Sequence, residues 1–141
     1  MKLVLDASVA VSWLLKRIDP IEIAVADRAI ESVQRHGAKV PAIWPTEIAN
    51  TLLTAERRGI STPAASAKLL ADLATLDIQL EPGNHAAIQR STITLARSLN
   101  LTAYDATYLE LALRTGFSLA TFDRQLADAF RKLGGHVFGD P

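Results

Sequence analysis

The sequence predicts an α/β fold: a five-stranded parallel sheet with helices on both faces, in one domain. Three observations carry that expectation. Short apolar runs of three to five residues alternate with longer amphipathic stretches, the pattern of strand–helix–strand units. Cap and stop residues punctuate nearly every junction. No repeat, low-complexity tract or Pro/Ser-rich linker divides the 141 residues, a length suited to a single core.

In order along the chain, residues 2–5 (KLVL) are too short an apolar run for a helix and read as a buried strand ending at Asp6. Residues 7–15 read as a short helix behind it. Asp19-Pro20 supplies a cap and a proline at the first helical position, opening a helix that stops at Gly37. Residues 39–41 make a second strand. Pro45-Thr46 opens a helix whose Ile48, Leu52, Leu53 and Ala55 share a face, ending at Gly59.

Ser61-Thr62-Pro63 starts the next helix, with Leu69, Leu70, Leu73 and Leu76 as its buried stripe. Residues 78–80 (IQL) form a third strand closed by Pro82-Gly83, and Asn84 caps a helix reaching Leu99. A turn at 100–102 leads into a helix carrying Asp105 in its first turn and halted by Gly116. Residues 117–121 are the fourth strand, 124–133 a helix stopped by Gly134-Gly135, and 136–138 a weak fifth strand.

Composition narrows the function classes. Lys+Arg and Asp+Glu are both 15, so net charge offers no argument for nucleic acid, and any basic surface must be local. There is no cysteine, which excludes disulfides and thiolate metal sites. The N-terminus resembles a signal peptide only superficially, because Asp6 interrupts its apolar run. No uncharged stretch approaches a bilayer span, and a cytoplasmic protein without membrane contact is the expectation.

Four acids stand out. Asp6 directly follows the first strand and Asp123 lies just beyond the fourth; Glu47 and Asp105 occupy first turns of helices. Ligands of open parallel sheets bind outside the carboxyl ends of the strands. Taken singly, each acid is best explained as a cap or a dipole partner, worth about 0.3–1 kcal/mol. Taken together they are costly, since two carboxylates ~5 Å apart repel by about 3 kcal/mol at an effective dielectric of ~20. Converging acids must protonate or share a cation.

Oxygen-only donors with no paired histidine select a hard ion, Mg²⁺ or Mn²⁺. Such an ion polarises a phosphoryl oxygen and acidifies water, so the expected products carry 5′-phosphate and 3′-hydroxyl ends. Ser8, Asn50 and Thr121 stand at spacings that let them support the carboxylates. His36, His85 and His136 are scattered and read as structural. Trp13, Leu14, Leu15 and Trp44 read as core rather than as a docking patch. Arg57, Arg58, Arg114 and Arg124 are candidates for phosphate contact, though surface arginines usually serve solvation.

LVLDASV near the start, PAIWPTEIANTL in the middle, and AYDATYLELA followed by LATFDRQLADA together span almost the whole chain. In that order and at those separations they resemble PIN-domain ribonucleases, specifically VapC-type toxins of type II toxin–antitoxin pairs. The resemblance implies that Asp6, Glu47, Asp105 and Asp123 form the metal-binding catalytic quartet, with Ser8, Asn50 and Thr121 supporting it. It implies a sheet order of 3-2-1-4-5, with Asp6 and Asp123 on neighbouring strands. It also implies an Mg²⁺- or Mn²⁺-dependent endoribonuclease that acts on RNA, dimerises and is silenced by a cognate VapB-type antitoxin. The choice of RNA over DNA rests on the resemblance alone.

Other classes fit less well. A haloacid-dehalogenase-type phosphatase wants a second Asp where Ser8 stands, and a receiver domain wants an acidic pair after the first strand. A catalytically silent PIN-like module that holds RNA or an antitoxin is the non-enzymatic alternative.

Overall fold

The computed structural model describes residues 1–82 and 85–141. Four strands, β1 (Leu3–Leu5), β2 (Ala38–Val40), β3 (Ile78–Leu80) and β4 (Ser118–Ala120), form one sheet in the order β3-β2-β1-β4. Every pairing is parallel: Leu3 lies opposite both Ala38 and Ser118, and Ala38 opposite Ile78. The seven helices of the described residues are α1 (Ala7–Val11), α2 (Pro20–His36), α3 (Trp44–Arg57), α4 (Pro63–Ala74), α5 (His85–Leu99), α6 (Ala103–Thr115) and α7 (Arg124–Lys132).

The fifth strand of the expected 3-2-1-4-5 order is reduced to one parallel bridge, Val137 beside Leu119, on the open side of β4. Its two hydrogen bonds are Leu119 N–H to the His136 carbonyl (3.1 Å) and Phe138 N–H to the Leu119 carbonyl (2.8 Å). Glycines at 134, 135 and 139 flank this segment on both sides, and glycine weakens a strand because it has no side chain to pack and costs more backbone entropy. The order is therefore as expected and the strand count falls from five to four.

Helix boundaries follow the capping chemistry. The Asp19 carboxylate accepts from the Ile21 amide ahead of Pro20, and the Thr62 hydroxyl accepts from the Ala65 amide ahead of Pro63. Gly37 closes α2 at φ 75°, a left-handed backbone that disfavours a side chain, and an added Cβ would meet the Asp77 carbonyl at 2.8 Å. α1 is shorter than expected, ending at Val11, after which the chain continues in turns to Leu15. The expected turn at Gly83 and cap at Asn84 lie outside the described residues.

The core is the sheet itself plus the helix faces against it. Leu3, Val4, Leu5, Val40, Leu119 and Ala120 are fully buried, the continuous apolar pattern of strands covered on both faces. Ile48, Leu52 and Ala55 of α3 and Leu69 and Leu73 of α4 join them; each such aliphatic side chain contributes about 1.5–3 kcal/mol when fully buried. Two stripe residues depart from expectation: Leu53 and Leu70 are exposed, one position round the helix from the buried line. Trp13 packs on the core and donates its indole N–H to the Ala26 carbonyl at 3.0 Å. No helix of the described residues is long and apolar enough to cross a membrane.

Strand order reverses at β1, which pairs with β2 on one side and β4 on the other. The crevice beyond the carboxyl ends of β1 and β4 is thus the switch point of the sheet.

Candidate active site

Asp6 and Thr121 are the first residues past β1 and β4. Parallel pairing of Leu5 with Ala120 sets these two ends side by side, and the Asp6 amide donates to the Ala120 carbonyl at 3.0 Å. The Asp6 carboxylate is buried, and one of its oxygens, Oδ2, accepts from both the Ser8 and Thr121 hydroxyls at 2.7 Å. Both hydroxyls are fixed in turn. The Phe122 amide donates to Ser8 Oγ and the Asp123 amide to Thr121 Oγ1, each at 3.0 Å. A closed set of bonds therefore orients Asp6 and ties the start of α1 to the β4–α7 turn.

Asp123 is the N-cap of α7, its Oδ1 accepting from the Leu126 amide at 3.1 Å. The capping explanation holds for this residue, alongside its place at the cleft. Asp105 is different. The cap of α6 is Thr102, whose hydroxyl accepts from the Asp105 amide at 3.1 Å. The Asp105 side chain is free of that duty and stays half-buried. Its helix reaches the same edge because Gly116, left-handed at φ 72°, turns α6 directly back into β4. Glu47 sits in the first turn of α3, the helix that follows β2.

Electrostatics link the acids. Burial raises the Asp6 carboxyl above the ordinary range; the Ser8 and Thr121 hydrogen bonds oppose this, and the Asp123 charge adds to it. Burial also raises Glu47, opposed by a bond from Tyr108 and reinforced by Asp6 and Asp105. Asp105 is raised by burial, then by Asp123 and Asp6, with Thr102 working the other way. Asp6, Glu47 and Asp105 each thus feel the charge of at least one other acid.

Among the described residues no group of three acids or histidines is drawn tightly enough to form a ready ion cage. The donor chemistry nevertheless fits a hard divalent cation: all-oxygen ligands whose charged forms are disfavoured by burial and mutual repulsion. A shared cation reverses that penalty.

Of the expected supporting residues, Ser8 and Thr121 bind Asp6 directly, whereas Asn50 is exposed and makes no hydrogen bond among the described residues. Its spacing places it on the Glu47 side of α3, but nothing anchors it there. Two residues escaped the sequence reading. Tyr108, fully buried, donates its hydroxyl to Glu47 Oε1 and so fixes that carboxylate. Its signal is the three-residue spacing from Asp105, one helical turn along the same face. Arg17 holds its guanidinium 4.9 Å from the Phe122 ring centroid and pairs with Glu22. No spacing rule connects residues 17 and 122.

A larger cleft, of about 810 Å³, lies between α5 and α6 and includes none of the four acids. Its charged groups pair with one another, Arg114 with Glu110 (2.7 Å) and with Glu81 (2.9 Å). This removes Arg114 from the phosphate-contact candidates. The site is assigned by its chemistry and not by cavity size. His136 Nδ1 lies 2.9 Å from Ser118 Oγ, away from the acids, in keeping with a structural role.

Comparison with known proteins places this architecture. The PIN domain family model matches residues 3–132. Ribonuclease VapC3 of Pyrobaculum aerophilum is 34% identical over 134 residues, spanning 94% of this chain and 98% of that protein. Three solved structures share the fold at low identity. PAE2754 from Pyrobaculum aerophilum superposes with a TM-score of 0.68 at 21% identity, over 92% of this chain and 84% of its own. A toxin–antitoxin complex from Klebsiella pneumoniae gives 0.64 at 18%, over 99% and 98%. FitAcB from Neisseria gonorrhoeae gives 0.63 at 18%, over 98% and 96%.

Proposed function

The chain belongs to the PIN-domain family, and from that premise we propose that it is a metal-dependent endoribonuclease, the toxin of a toxin–antitoxin pair. The observation that carries the reading is the convergence of Asp6, Glu47, Asp105 and Asp123. They come from four segments of the chain, Asp6 is buried at the switch point, and three of the four carboxyls are pushed upward by burial and by one another's charges. A purely structural role gives no reason to gather charges that repel. The ribonuclease relative, similar over almost its whole length, supports RNA as substrate.

Mg²⁺ or Mn²⁺ held by these four acids would supply a Lewis acid for the phosphoryl oxygen and a lowered pKa for water. The protein's own contribution is positioning. Ser8 and Thr121 hold one oxygen of Asp6, Oδ2, in place. Tyr108 holds Glu47, and Thr102 relieves Asp105 of capping. With no 2′-hydroxyl attack required, cleavage leaves 5′-phosphate and 3′-hydroxyl ends. A VapB-type antitoxin that blocks the crevice completes the reading, supported by the toxin–antitoxin setting of the Klebsiella pneumoniae structural neighbour; a homodimeric assembly belongs to the same proposal.

The test is to incubate purified protein with total RNA in Mg²⁺ and in EDTA, beside Asp6→Ala and Asp123→Ala variants. Discrete fragments with 5′-phosphate ends, lost in EDTA and in both variants, establish the reading. Variants that cut like the wild type would show the activity to be a contaminant. Binding of RNA in Mg²⁺ without turnover would shift the assignment to a silent binding module.

A further inference from the structure

A second, smaller cleft of about 200 Å³ is lined in part by Asp123, between the β4–α7 turn, the first turns of α2 and the C-terminal segment. Thr121, Phe122 and Asp123 form its inner end, Phe138 lies on the C-terminal side, and Arg124 and Arg131 also line it. Both phenylalanines are partly exposed. Phe122 is held in place by its amide bond to Ser8 and by the Arg17 guanidinium over its ring. Gly139, at φ 101°, lies so close to α2 that a Cβ there would meet Val25 Cγ2 at 2.9 Å, which keeps the Phe138 wall flush against the helix.

Apart from Asp123, the charges of this cleft are matched among the described residues except at one place. Arg131 is committed to Asp140 (2.8 Å) and Asp128 (2.9 Å), and Glu22 is committed to Arg17. Arg124 is exposed and makes no ion pair or hydrogen bond among the described residues. It also occupies the first position of α7, where a cation opposes the helix dipole. A residue that breaks a local rule with no compensating contact is expected at functional positions.

We propose that this cleft is the nucleotide subsite next to the scissile bond: Phe122 and Phe138 receive one unstacked base of a single-stranded substrate, and Arg124 takes an adjoining phosphate. The proposal rests on the nuclease reading and deepens it by assigning residues of this chain to the nucleotide beside the cut. Single-stranded nucleic acid is bound by aromatic side chains that stack bases beside cations that track the backbone. The cleft offers two aromatic rings and an unpaired cation beside Asp123, and its volume of about 200 Å³ suits a single base.

The experiment measures cleavage and equilibrium binding of a fluorescein-labelled single-stranded RNA oligonucleotide that the wild type cuts, with the same strand annealed to its complement as control. Phe138→Leu keeps apolar packing and loses the ring; it should raise KM at least about fivefold, the lower end of a lost base–aromatic stack, with kcat little changed. Phe138→Tyr should restore KM. Arg124→Gln should weaken binding and flatten its salt dependence by about one phosphate contact. The annealed control should be cut poorly by all. Unchanged KM and cut sites in both Phe138→Leu and Arg124→Gln, with wild-type activity intact, would overturn the subsite while leaving the nuclease standing. Should Phe138→Leu melt early, the Arg124→Gln arm decides alone. A wild type that neither cuts nor binds RNA sinks the nuclease reading first.

Discussion

The Thr121 hydroxyl donates to Asp6 Oδ2 at 2.7 Å across 115 residues of sequence, joining the ends of the two central strands through a carboxylate. The same hydroxyl accepts the Asp123 amide at 3.0 Å, so one side chain positions two of the four acids.

Thr121→Val is isosteric and breaks both bonds. Leaving a buried acceptor and the Asp123 amide without their partner costs about 1–3 kcal/mol, seen as a lower midpoint in urea denaturation. Cleavage should fall about tenfold or more, because the Asp6 orientation is then fixed by Ser8 alone. Thr121→Ser should retain most of the activity. Equal loss in the Val and Ser variants would contradict this role for the hydroxyl.

Asp6→Asn should separate stability from activity. The amide oxygen still accepts from Ser8 and Thr121, while the buried charge and its repulsion by Asp123 disappear. The variant is expected to be inactive and more stable, by roughly 1 kcal/mol, the usual size of a function-for-stability exchange. For a chain of this length the melting temperature rises by about 2–4 °C. A destabilised Asp6→Asn protein would mean that the charge is satisfied in the folded state.

Much of this site was legible because it lies at element boundaries, where residue type and spacing carry the most information. Asp6 and Asp123 follow apolar runs, Asp105 sits three residues after a Thr cap, and Ser8 and Thr121 lie two residues from an acid. Tyr108 was hidden by its surroundings: inside the run YLELAL it reads as core, and core it is, apart from one hydroxyl. Asn50 shows the opposite failure. Helical spacing places a residue on a face but does not give it a partner. The fifth strand was overread because Val137 and Phe138 are good strand formers, and the flanking glycines decided otherwise. The pairing of Arg114 with Glu81, 33 residues away, was invisible to any local pattern.

Stability of the cation-free protein should fall as pH rises out of the acid range. Asp6, Glu47 and Asp105 have folded-state pKa values above their unfolded ones, so the folded state binds more protons in between. Their contribution is fully present below the unfolded carboxylate pKa and is lost as pH climbs through the raised values. Glu81 and Asp140, lowered by Arg114 and Arg131, act in the opposite sense, their stabilisation fading as pH falls through their depressed values. Both sit in surface ion pairs with exposed arginines, which water screens, and weigh less. Thermal melts in EDTA from pH 4 upward check the sign, and Mn²⁺ should raise the midpoint at pH 7 and not at pH 4. A metal effect equal at both values would place the ion elsewhere.

Tyr108→Phe tests whether Glu47 belongs to the ion site or only to the fold. The hydroxyl donates to Glu47 and holds its carboxyl down against burial and the charges of Asp6 and Asp105. Without it Glu47 becomes harder to ionise and loses its fixed rotamer, so Mn²⁺ should bind more weakly. An outer-shell loss of this kind typically costs about 10–100-fold in metal affinity or activity. Because the ring stays in its buried position, the fold should be little disturbed. The two quantities can be read on one sample, affinity by calorimetric titration and stability by thermal melt. A weakened Mn²⁺ isotherm with an unchanged melt places Glu47 among the ligands. An unchanged isotherm with a lowered melt would make the Tyr108–Glu47 pair a structural clasp between α3 and α6 and reduce the ion site to the three aspartates.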